Sequence, residues 1–196
     1  KALKAAGFMQ KAFREGLFAP GFETMIHNDA RDVFQAGQAV FMRSWPYVYR
    51  DMNKPNPDSQ VTGKVGIAPL PTFAGAGPVN TLGGHNLAVS RFSDNPSAAA
   101  EFVRFVSTSK EAQRKLAELS YAPTLRETYT EMKGDPLIDL LGTLLPESKP
   151  RPADPEWTTI SEEIQQQIFA AYTGDEDPGP EIDALRAFLA ATAEDH

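Results

Sequence analysis

The chain has 196 residues, 41% of them hydrophobic and 23% charged, so it is long enough to bury a core as one sizeable domain or two small ones. Its net charge of -7 and its scattered Lys and Arg residues argue against a nucleic-acid-binding surface. Because cysteine is absent, disulfides, a thiol nucleophile and a Cys-based metal site are excluded, and the sequence predicts no cofactor and no metal.

The first part of the chain predicts two helices and then a buried strand. Residues 1 to 17 place apolar side chains at helical spacing. Asn28 or Asp29 is expected to cap a short second helix, which Gly37 ends. The apolar run at residues 39 to 42 then predicts a buried strand.

Aromatic side chains follow this predicted strand. Pro46 favours extended geometry at Trp45, so the strand is expected to end there, at the sheet edge where ligands bind in open α/β folds. Trp45, Tyr47 and Tyr49 combine flat apolar faces with polar tips, which suits a ligand that is both apolar and hydroxylated, such as a sugar. The alternative is that these rings serve core or surface packing.

A second strand is predicted at residues 64 to 68. Pro69 and Pro71 follow it and mark the exit from the sheet, since proline cannot donate a ladder hydrogen bond. Residues 74 to 78, AGAGP, predict a flexible connection.

Two glycines precede the next predicted strand, at residues 87 to 89. Gly83 and Gly84 indicate a place where the backbone approaches something closely, and His85 and Asn86 offer hydrogen-bond donors and acceptors there. The alternative for His85 is a structural histidine with satisfied hydrogen bonds.

The remainder of the chain is predicted to be mostly helical. The expected segments are a helix capped by Asp94 or Asn95, a second helix beginning within residues 108 to 111, short pieces between residues 124 and 145 broken at Gly134 and Pro136, an amphipathic helix from Trp157 closed by Gly174, and a last helix opened by Pro180.

Two residues between these helices are candidates for ligand binding. Tyr121 lies in a loop after a helix, where it either binds a ligand or covers the core. Arg151 lies in a proline-rich segment that can hold a guanidinium in place for contacts with hydroxyls or carboxylates. The alternative for Arg151 is a solvated side chain in a surface connection.

An enzyme that processes glycosides is a competing hypothesis. It requires two carboxylates that flank the scissile bond. The carboxylates considered are Asp135, Asp139, Glu162 and Glu163. They are expected on solvated helix faces and none adjoins the aromatic residues, so the sequence favours a binding protein over an enzyme.

Five segments in order resemble the C-terminal half of extracellular solute-binding proteins of family 1, which serve ABC sugar importers. They are GQAVFMRSWPYVY, KVGIAPLPTF, LGGHNLAVS, NPSAAAEFVRFVSTSKEAQRKLAE and KPRPADPEWTTISEEIQQQIFAAYTG. The trehalose/maltose-binding type is the most similar. The resemblance implies an α/β fold of the type II periplasmic-binding class, with sugar held between two lobes. Residues 1–78 and 124–196 would belong to the C-terminal lobe and residues 79–123 to the N-terminal lobe.

The resemblance also implies a set of sugar-facing residues. These are Trp45, Gly84, His85, Asn86, Tyr121 and Arg151. Trp45 would stack on the sugar, Arg151 and Asn86 would bind hydroxyls, and Gly84 would allow close approach. Similar proteins often carry an aromatic residue at the position of His85, so the resemblance leaves the identity of the sugar open.

The partners implied are the small-molecule sugar, the transmembrane subunits of an ABC permease and an N-terminal half of the same protein. The implied location is extracytoplasmic, with a lipid anchor on the full-length protein. A non-sugar polar solute such as a polyol is the alternative ligand.

Overall fold

The computed structural model describes residues 1–73 and 80–194, so the flexible connection predicted at residues 74 to 78 lies outside the described residues. The described residues form α-helices, two short strands and two turns of 3₁₀-helix. In chain order the helices and strands are α1 (Ala2–Arg14), α2 (His27–Gln35), α3 (Tyr47–Asn53), β1 (Thr81–Leu82), α4 (Pro96–Thr108), α5 (Lys110–Glu118), α6 (Arg126–Glu131), α7 (Pro136–Leu144), β2 (Lys149–Pro150), α8 (Trp157–Thr173) and α9 (Gly179–Glu194). The 3₁₀ turns are Phe22–Thr24 and Leu145–Glu147.

The chain forms two compact units. The first unit combines Lys1–Met25 with Pro152–His196, and the second is Ile26–Arg151. All six sugar-facing residues predicted above lie in the second unit.

The first unit is built from α1, α8 and α9, each of which packs against the other two. Its core contains Ala6, Ala171 and Ile182, with Ile168 packed against them. Gln10 is also buried, and its Nε2 donates to the carbonyls of Gly174 at 2.9 Å and Glu176 at 2.6 Å. This side chain fastens the loop after α8 to α1.

A cluster of five aromatic rings extends the core of the first unit. Phe18 stacks on Phe22 with ring centroids 4.5 Å apart, and Tyr172 of α8 contacts Phe13, Phe18, Phe22 and Phe169 at 5.5 to 6.5 Å. Such ring pairs add to the stabilisation from area burial. The cluster therefore holds the turn after α1 against α8.

The second unit is a succession of helices in which α4 packs on α5, α5 on α6 and α6 on α7. Its most buried apolar side chains are Val48 and Met52 of α3, Ala117 of α5, and Leu137, Ile138 and Leu141 of α7. Burial of each of these Val, Met, Leu or Ile side chains stabilises the fold by roughly 1.5 to 3 kcal/mol relative to an exposed one.

Most of the predicted helix boundaries are confirmed. Gly37 follows α2 with a φ of 74°, a conformation that glycine adopts without steric cost, and Gly174 follows α8. The break at residues 134 to 136 separates α6 from α7, where the Asp135 carboxylate caps α7. The predicted cap of α2 was wrong, because the helix begins at His27. Asp29 instead accepts a hydrogen bond from the Ile26 N–H at 3.0 Å.

The strand predicted at residues 39 to 42 was wrong. This segment is irregular, and the side chains of Val40 and Phe41 are 83% and 91% exposed. An apolar run indicates a tendency towards burial, but a strand also needs a neighbouring backbone to pair its N–H and C=O groups. No such partner lies beside it among the described residues.

The strands predicted at residues 64 to 68 and 87 to 89 were also wrong, for the same reason: both segments are irregular. The strands that do form are shorter and lie elsewhere. β1 and β2 pair in parallel, with Thr81 opposite Lys149 and Leu82 opposite Pro150.

Within residues 1–73 and 80–194, no helix combines the length and the apolar character needed to cross a bilayer.

Candidate functional site

Trp45 presents an exposed aromatic surface together with two neighbouring rings. Its side chain is 53% exposed. The Tyr47 ring lies almost parallel to the indole, at 14° and 6.5 Å between centroids, and the His27 ring meets it at 90° and 5.3 Å. We call Trp45, Tyr47 and His27 the aromatic ledge. No sequence pattern marked His27 as a site residue, because nothing at the first turn of α2 indicated that its ring contacts Trp45.

Local structure explains why the ledge points outward. Pro46 precedes α3 and has a fixed φ suited to a helix start, while the N–H groups of Val48 and Tyr49 donate to the carbonyls of Trp45 and Pro46. Val48 and Met52 on the same helix are buried. Because these two side chains anchor one face of α3, Trp45 at its start remains in solvent.

Arg50 connects α3 to two other elements of the second unit. Its Nη2 lies 2.8 Å from Asp135 Oδ2 and 3.4 Å from the Ala117 carbonyl oxygen. The other carboxylate oxygen of Asp135 accepts from the N–H groups of Leu137 and Ile138, both at 3.1 Å. Both charged side chains are largely buried, with 24% and 22% of their surface exposed. One ion pair thus joins α3, the end of α5 and the start of α7.

The parallel pair of strands brings two of the predicted binding segments together. Gly83 directly follows Leu82 and Arg151 directly follows Pro150, and Leu82 pairs with Pro150 in the sheet. Gly84, His85 and Asn86 continue from Gly83 and are exposed, as is Arg151. A Cβ atom at Gly84 would meet no protein atom within 4 Å, so the described chain itself does not require glycine there.

Tyr121 lies on a turn that closes α5. Ser120 has a φ of 72° and is buried, its N–H donates to the Ala117 carbonyl at 2.9 Å, and the Tyr121 N–H donates to the Leu116 carbonyl at 3.0 Å. This pattern is a Schellman motif with serine in the left-handed conformation, which costs a non-glycine residue roughly 1–2 kcal/mol. The turn presents the Tyr121 ring with 47% of its surface exposed.

A buried glutamine holds the chain just after Tyr121. Gln113 is 2% exposed, its Nε2 donates to the Val106 carbonyl at 2.7 Å, and its Oε1 accepts from the Thr124 N–H at 2.6 Å. The sequence analysis did not identify Gln113, because a glutamine in a polar helix stretch carries no sign of its burial. Its two bonds fix where the segment after Tyr121 leaves α5.

Three of the four carboxylates of the competing enzyme hypothesis, Asp135, Asp139 and Glu163, have structural partners, and Glu162 is exposed on α8. Asp135 pairs with Arg50 and caps α7, Asp139 accepts from the Gly134 N–H, and Glu163 accepts from Gln167. Across the described ranges, no group of three or more His, Asp or Glu residues is arranged to hold a metal ion.

A shallow depression of about 370 Å³ lies away from the ledge, between α5 and the α6–α7 connection. Its lining is charged, and the charges pair: Arg114 lies 3.3 Å from Glu118, and the hydrogen bond from Lys115 lowers the pKa of Glu118. Nearby, Lys110 pairs with Glu127, which raises the pKa of the lysine. These are exposed pairs on a solvated surface, and such pairs contribute little to stability.

Comparisons with known proteins agree with this picture. Residues 1–113 match the family model described as Bacterial extracellular solute-binding protein. A Deinococcus radiodurans protein named probable ABC transporter-binding protein is 34% identical over 182 residues, which are 89% of this chain and 43% of that protein.

The solved structure of maltose-bound T. maritima MalE3 is also similar. It is 31% identical, has a TM-score of 0.82 and matches 96% of this chain. The match covers 49% of MalE3, so this chain spans about half the length of the relatives it resembles.

Proposed function

Because the chain belongs to the bacterial extracellular solute-binding protein family, we propose that it forms part of the substrate-binding component of an ABC sugar importer. Proteins of this family bind solutes and are not enzymes. The similarity to MalE3 confirms the predicted α/β fold of the type II periplasmic-binding class, of which this chain is a portion. The proposed ligand is a neutral di- or oligosaccharide of the trehalose or maltose kind.

The aromatic ledge is the observation that carries this proposal. Trp45 is 53% exposed, and the phenol ring of Tyr47 stacks nearly parallel to the indole and supports it. The C–H faces of a pyranose can stack on such a surface while its hydroxyls stay at the polar rim. The 31% identity to a maltose-bound structure supports a sugar as the ligand class.

The segments after β1 and β2 are proposed to supply the polar contacts. Arg151 and Asn86 would donate hydrogen bonds to hydroxyls, and Gly84 would admit the sugar close to the backbone. His85 would select among sugars, since it stands where similar proteins often have an aromatic ring. Tyr121 would contribute a further ring.

The lobe assignment remains part of the proposal. Residues 1–78 and 124–196 would form the C-terminal lobe and residues 79–123 would return to the N-terminal lobe. Because the chain spans 43% and 49% of two relatives, we propose that an N-terminal half completes the second lobe. Sugar that contacts both lobes would favour a closed form, which the permease subunits recognise. The family is extracellular, and we propose a lipid anchor for the full-length protein.

Tryptophan fluorescence tests the proposal. This chain has two tryptophans, Trp45 and Trp157, so Trp157→Phe leaves Trp45 as the only tryptophan of this chain. In the protein with both halves present, titration with maltose or trehalose should change the emission in a saturable way. By calorimetry, Trp45→Ala should weaken that binding on the order of tenfold or more, as removal of a central aromatic anchor does.

Phe92→Ala is the control, because Phe92 is another exposed aromatic residue of the second unit, at 87%, and is not assigned to the site. It should bind like the parent protein. Equal affinity of the parent and Trp45→Ala proteins would contradict the proposed site.

A polar solute other than sugar is the second candidate, and the observation that favours it is His85. An exposed imidazole among polar neighbours suits a small polyol better than an apolar ring would. Binding of a polyol such as sorbitol, with no response to maltose, trehalose or glucose, would favour this candidate.

A further inference from the structure

We propose that Arg50 is a positioning residue for ligand binding, which in the closed form sets the placement of Tyr121 relative to the Trp45–Tyr47 rings. This inference rests on the proposed function. It concerns a residue that would not itself contact the sugar and that the sequence analysis did not single out.

Arg50 lies on the same helix, α3, that begins next to the aromatic ledge. Tyr47 and Arg50 are three residues apart in one helix and therefore share a face. Trp45 lies two residues before the helix, and its carbonyl accepts the N–H of Val48 in the first turn. Any contact that fixes the Arg50 guanidinium therefore fixes the orientation of α3 and of the two rings at its start.

Arg50 also contacts a backbone carbonyl at the end of α5. Ala117 O accepts from Arg50 Nη2 at 3.4 Å and from the Ser120 N–H at 2.9 Å. The second of these bonds closes the turn that presents Tyr121. Arg50 thus reaches from the helix of the aromatic ledge to the oxygen on which the Tyr121 turn is built.

Arg50 is itself anchored by an ion pair. Asp135 holds the guanidinium at 2.8 Å and is in turn held by two N–H groups of α7. A charge-assisted hydrogen bond to a carboxylate that is already fixed is strong and directional. The same nitrogen, Arg50 Nη2, contacts both the Asp135 carboxylate and the Ala117 carbonyl. Arg50 therefore holds α3 and the turn after α5 in place at the start of α7.

A positioned pair of rings matters more for a large ligand than for a small one. We expect a disaccharide to contact the Trp45 and Tyr121 rings together and a monosaccharide to contact one of them. Loss of the fixed arrangement of the two rings should therefore lower affinity for the disaccharide in particular. We expect Arg50→Gln to weaken binding of maltose or trehalose, whichever the parent binds, about tenfold and to leave glucose binding within about twofold.

A double-mutant cycle separates positioning from general loss of structure. In a Tyr121→Ala background, Arg50→Gln should change disaccharide affinity by less than about twofold, because the ring that Arg50 positions is gone. Asp135→Asn keeps an oxygen for the α7 cap and removes the charge. It should therefore weaken disaccharide binding, but less than Arg50→Gln does. Arg186→Gln is the control, since that arginine also lies 2.8 Å from an aspartate but is exposed.

The affinities should be measured by calorimetry on the protein with both halves, with far-ultraviolet circular dichroism as the check of folding. If Arg50→Gln does not fold, Arg50→Lys and Asp135→Asn provide the same comparison. An equal loss for glucose and disaccharide, an unchanged loss in the Tyr121→Ala background, or parental disaccharide affinity in all Arg50 and Asp135 variants would overturn the inference. Absence of sugar binding by the parent protein would overturn the proposed function as well.

Discussion

Both units bury a core, but they differ in the kind of segment that exposes apolar side chains. In the first unit the apolar faces of α1, α8 and α9 meet one another, and Phe8 and Leu17 remain exposed as separate side chains. In the second unit Val40, Phe41 and Trp45 lie exposed close together on one irregular segment. An irregular segment without a partner strand therefore leaves several neighbouring apolar side chains available to another molecule, whereas packed helices leave isolated ones.

The units are alike in how they fasten their loops. Gln10 in the first unit and Gln113 in the second are both buried, and each makes two side-chain hydrogen bonds to backbone groups of another segment. The second unit adds the Arg50–Asp135 ion pair. The second unit thus holds its candidate binding residues by polar contacts, whereas the first unit combines the Gln10 hydrogen bonds with the packing of aromatic rings.

The largest expected effect is the removal of a fully buried side chain from either unit. Ile138→Ala in the second unit and Ile182→Ala in the first should each lower the free energy of unfolding by about 2 to 5 kcal/mol, because each leaves a cavity. Urea denaturation measures this loss. Leu189→Ala, at a partly exposed position of α9, should cost much less. Similar losses at all three positions would contradict the burial on which the comparison depends.

The next largest effect on stability is expected for a ring inside the aromatic cluster, compared with an exposed ring. Phe22→Ala removes a half-buried ring that contacts Phe13, Phe18 and Tyr172, and should cost about 2 to 3 kcal/mol of unfolding free energy. Phe41→Ala removes a ring that is 91% exposed and should change stability by less than about 0.5 kcal/mol. Thermal or urea unfolding of this chain distinguishes the two variants. A larger loss of stability for Phe41→Ala than for Phe22→Ala would contradict the packing of Phe22 in the cluster and the exposure of Phe41.

The two buried glutamines should have smaller and comparable effects. Gln113→Ala leaves the Val106 carbonyl and the Thr124 N–H without this partner, and Gln10→Ala does the same for the carbonyls of Gly174 and Glu176. Each should cost about 1 to 3 kcal/mol. Hydrogen exchange should show faster exchange of the Thr124 amide in Gln113→Ala and not in Gln10→Ala. Protection of that amide in both variants would show that Gln113 does not hold the segment.

The smallest effect is a loss of stability at alkaline pH. Burial raises the pKa of Tyr129 in the second unit to about 12, and burial together with Glu23 raises the pKa of Tyr172 in the first. An unfolded tyrosine has a pKa near 10, so the folded state favours the neutral phenol and its advantage is complete below pH 10. Stability should therefore fall as the pH rises from about 10 to about 12.

Tyr129→Phe should reduce this alkaline loss, although it also removes the hydrogen bond from the hydroxyl to the Pro123 carbonyl at 2.8 Å. The measurement is urea denaturation at a series of pH values for the parent chain, Tyr129→Phe and Tyr172→Phe. An unchanged slope of stability against pH in Tyr129→Phe would show that this residue does not cause the loss.

Local sequence patterns were enough to predict most of the helices. Apolar spacing of 3.6 residues, the glycines at 37 and 174 and the proline at 136 act within a few residues of chain, so they can be read without knowledge of the fold. The ordered series of segments was enough for the family assignment. The aromatic and polar residue types also indicated the ligand class that we propose.

The neighbours of each residue depended on tertiary packing. An apolar run at residues 39 to 42 predicted a strand, but strand formation depends on a partner backbone that no local pattern reveals. The register of β1 and β2 placed Pro150 opposite Leu82, about 70 residues apart in sequence. The contacts of Arg50 with Ala117 and Asp135, and of His27 with Trp45, likewise join residues whose spacing carries no periodic signal. Helices depend on hydrogen bonds between near neighbours in sequence, whereas these contacts depend on how distant segments pack.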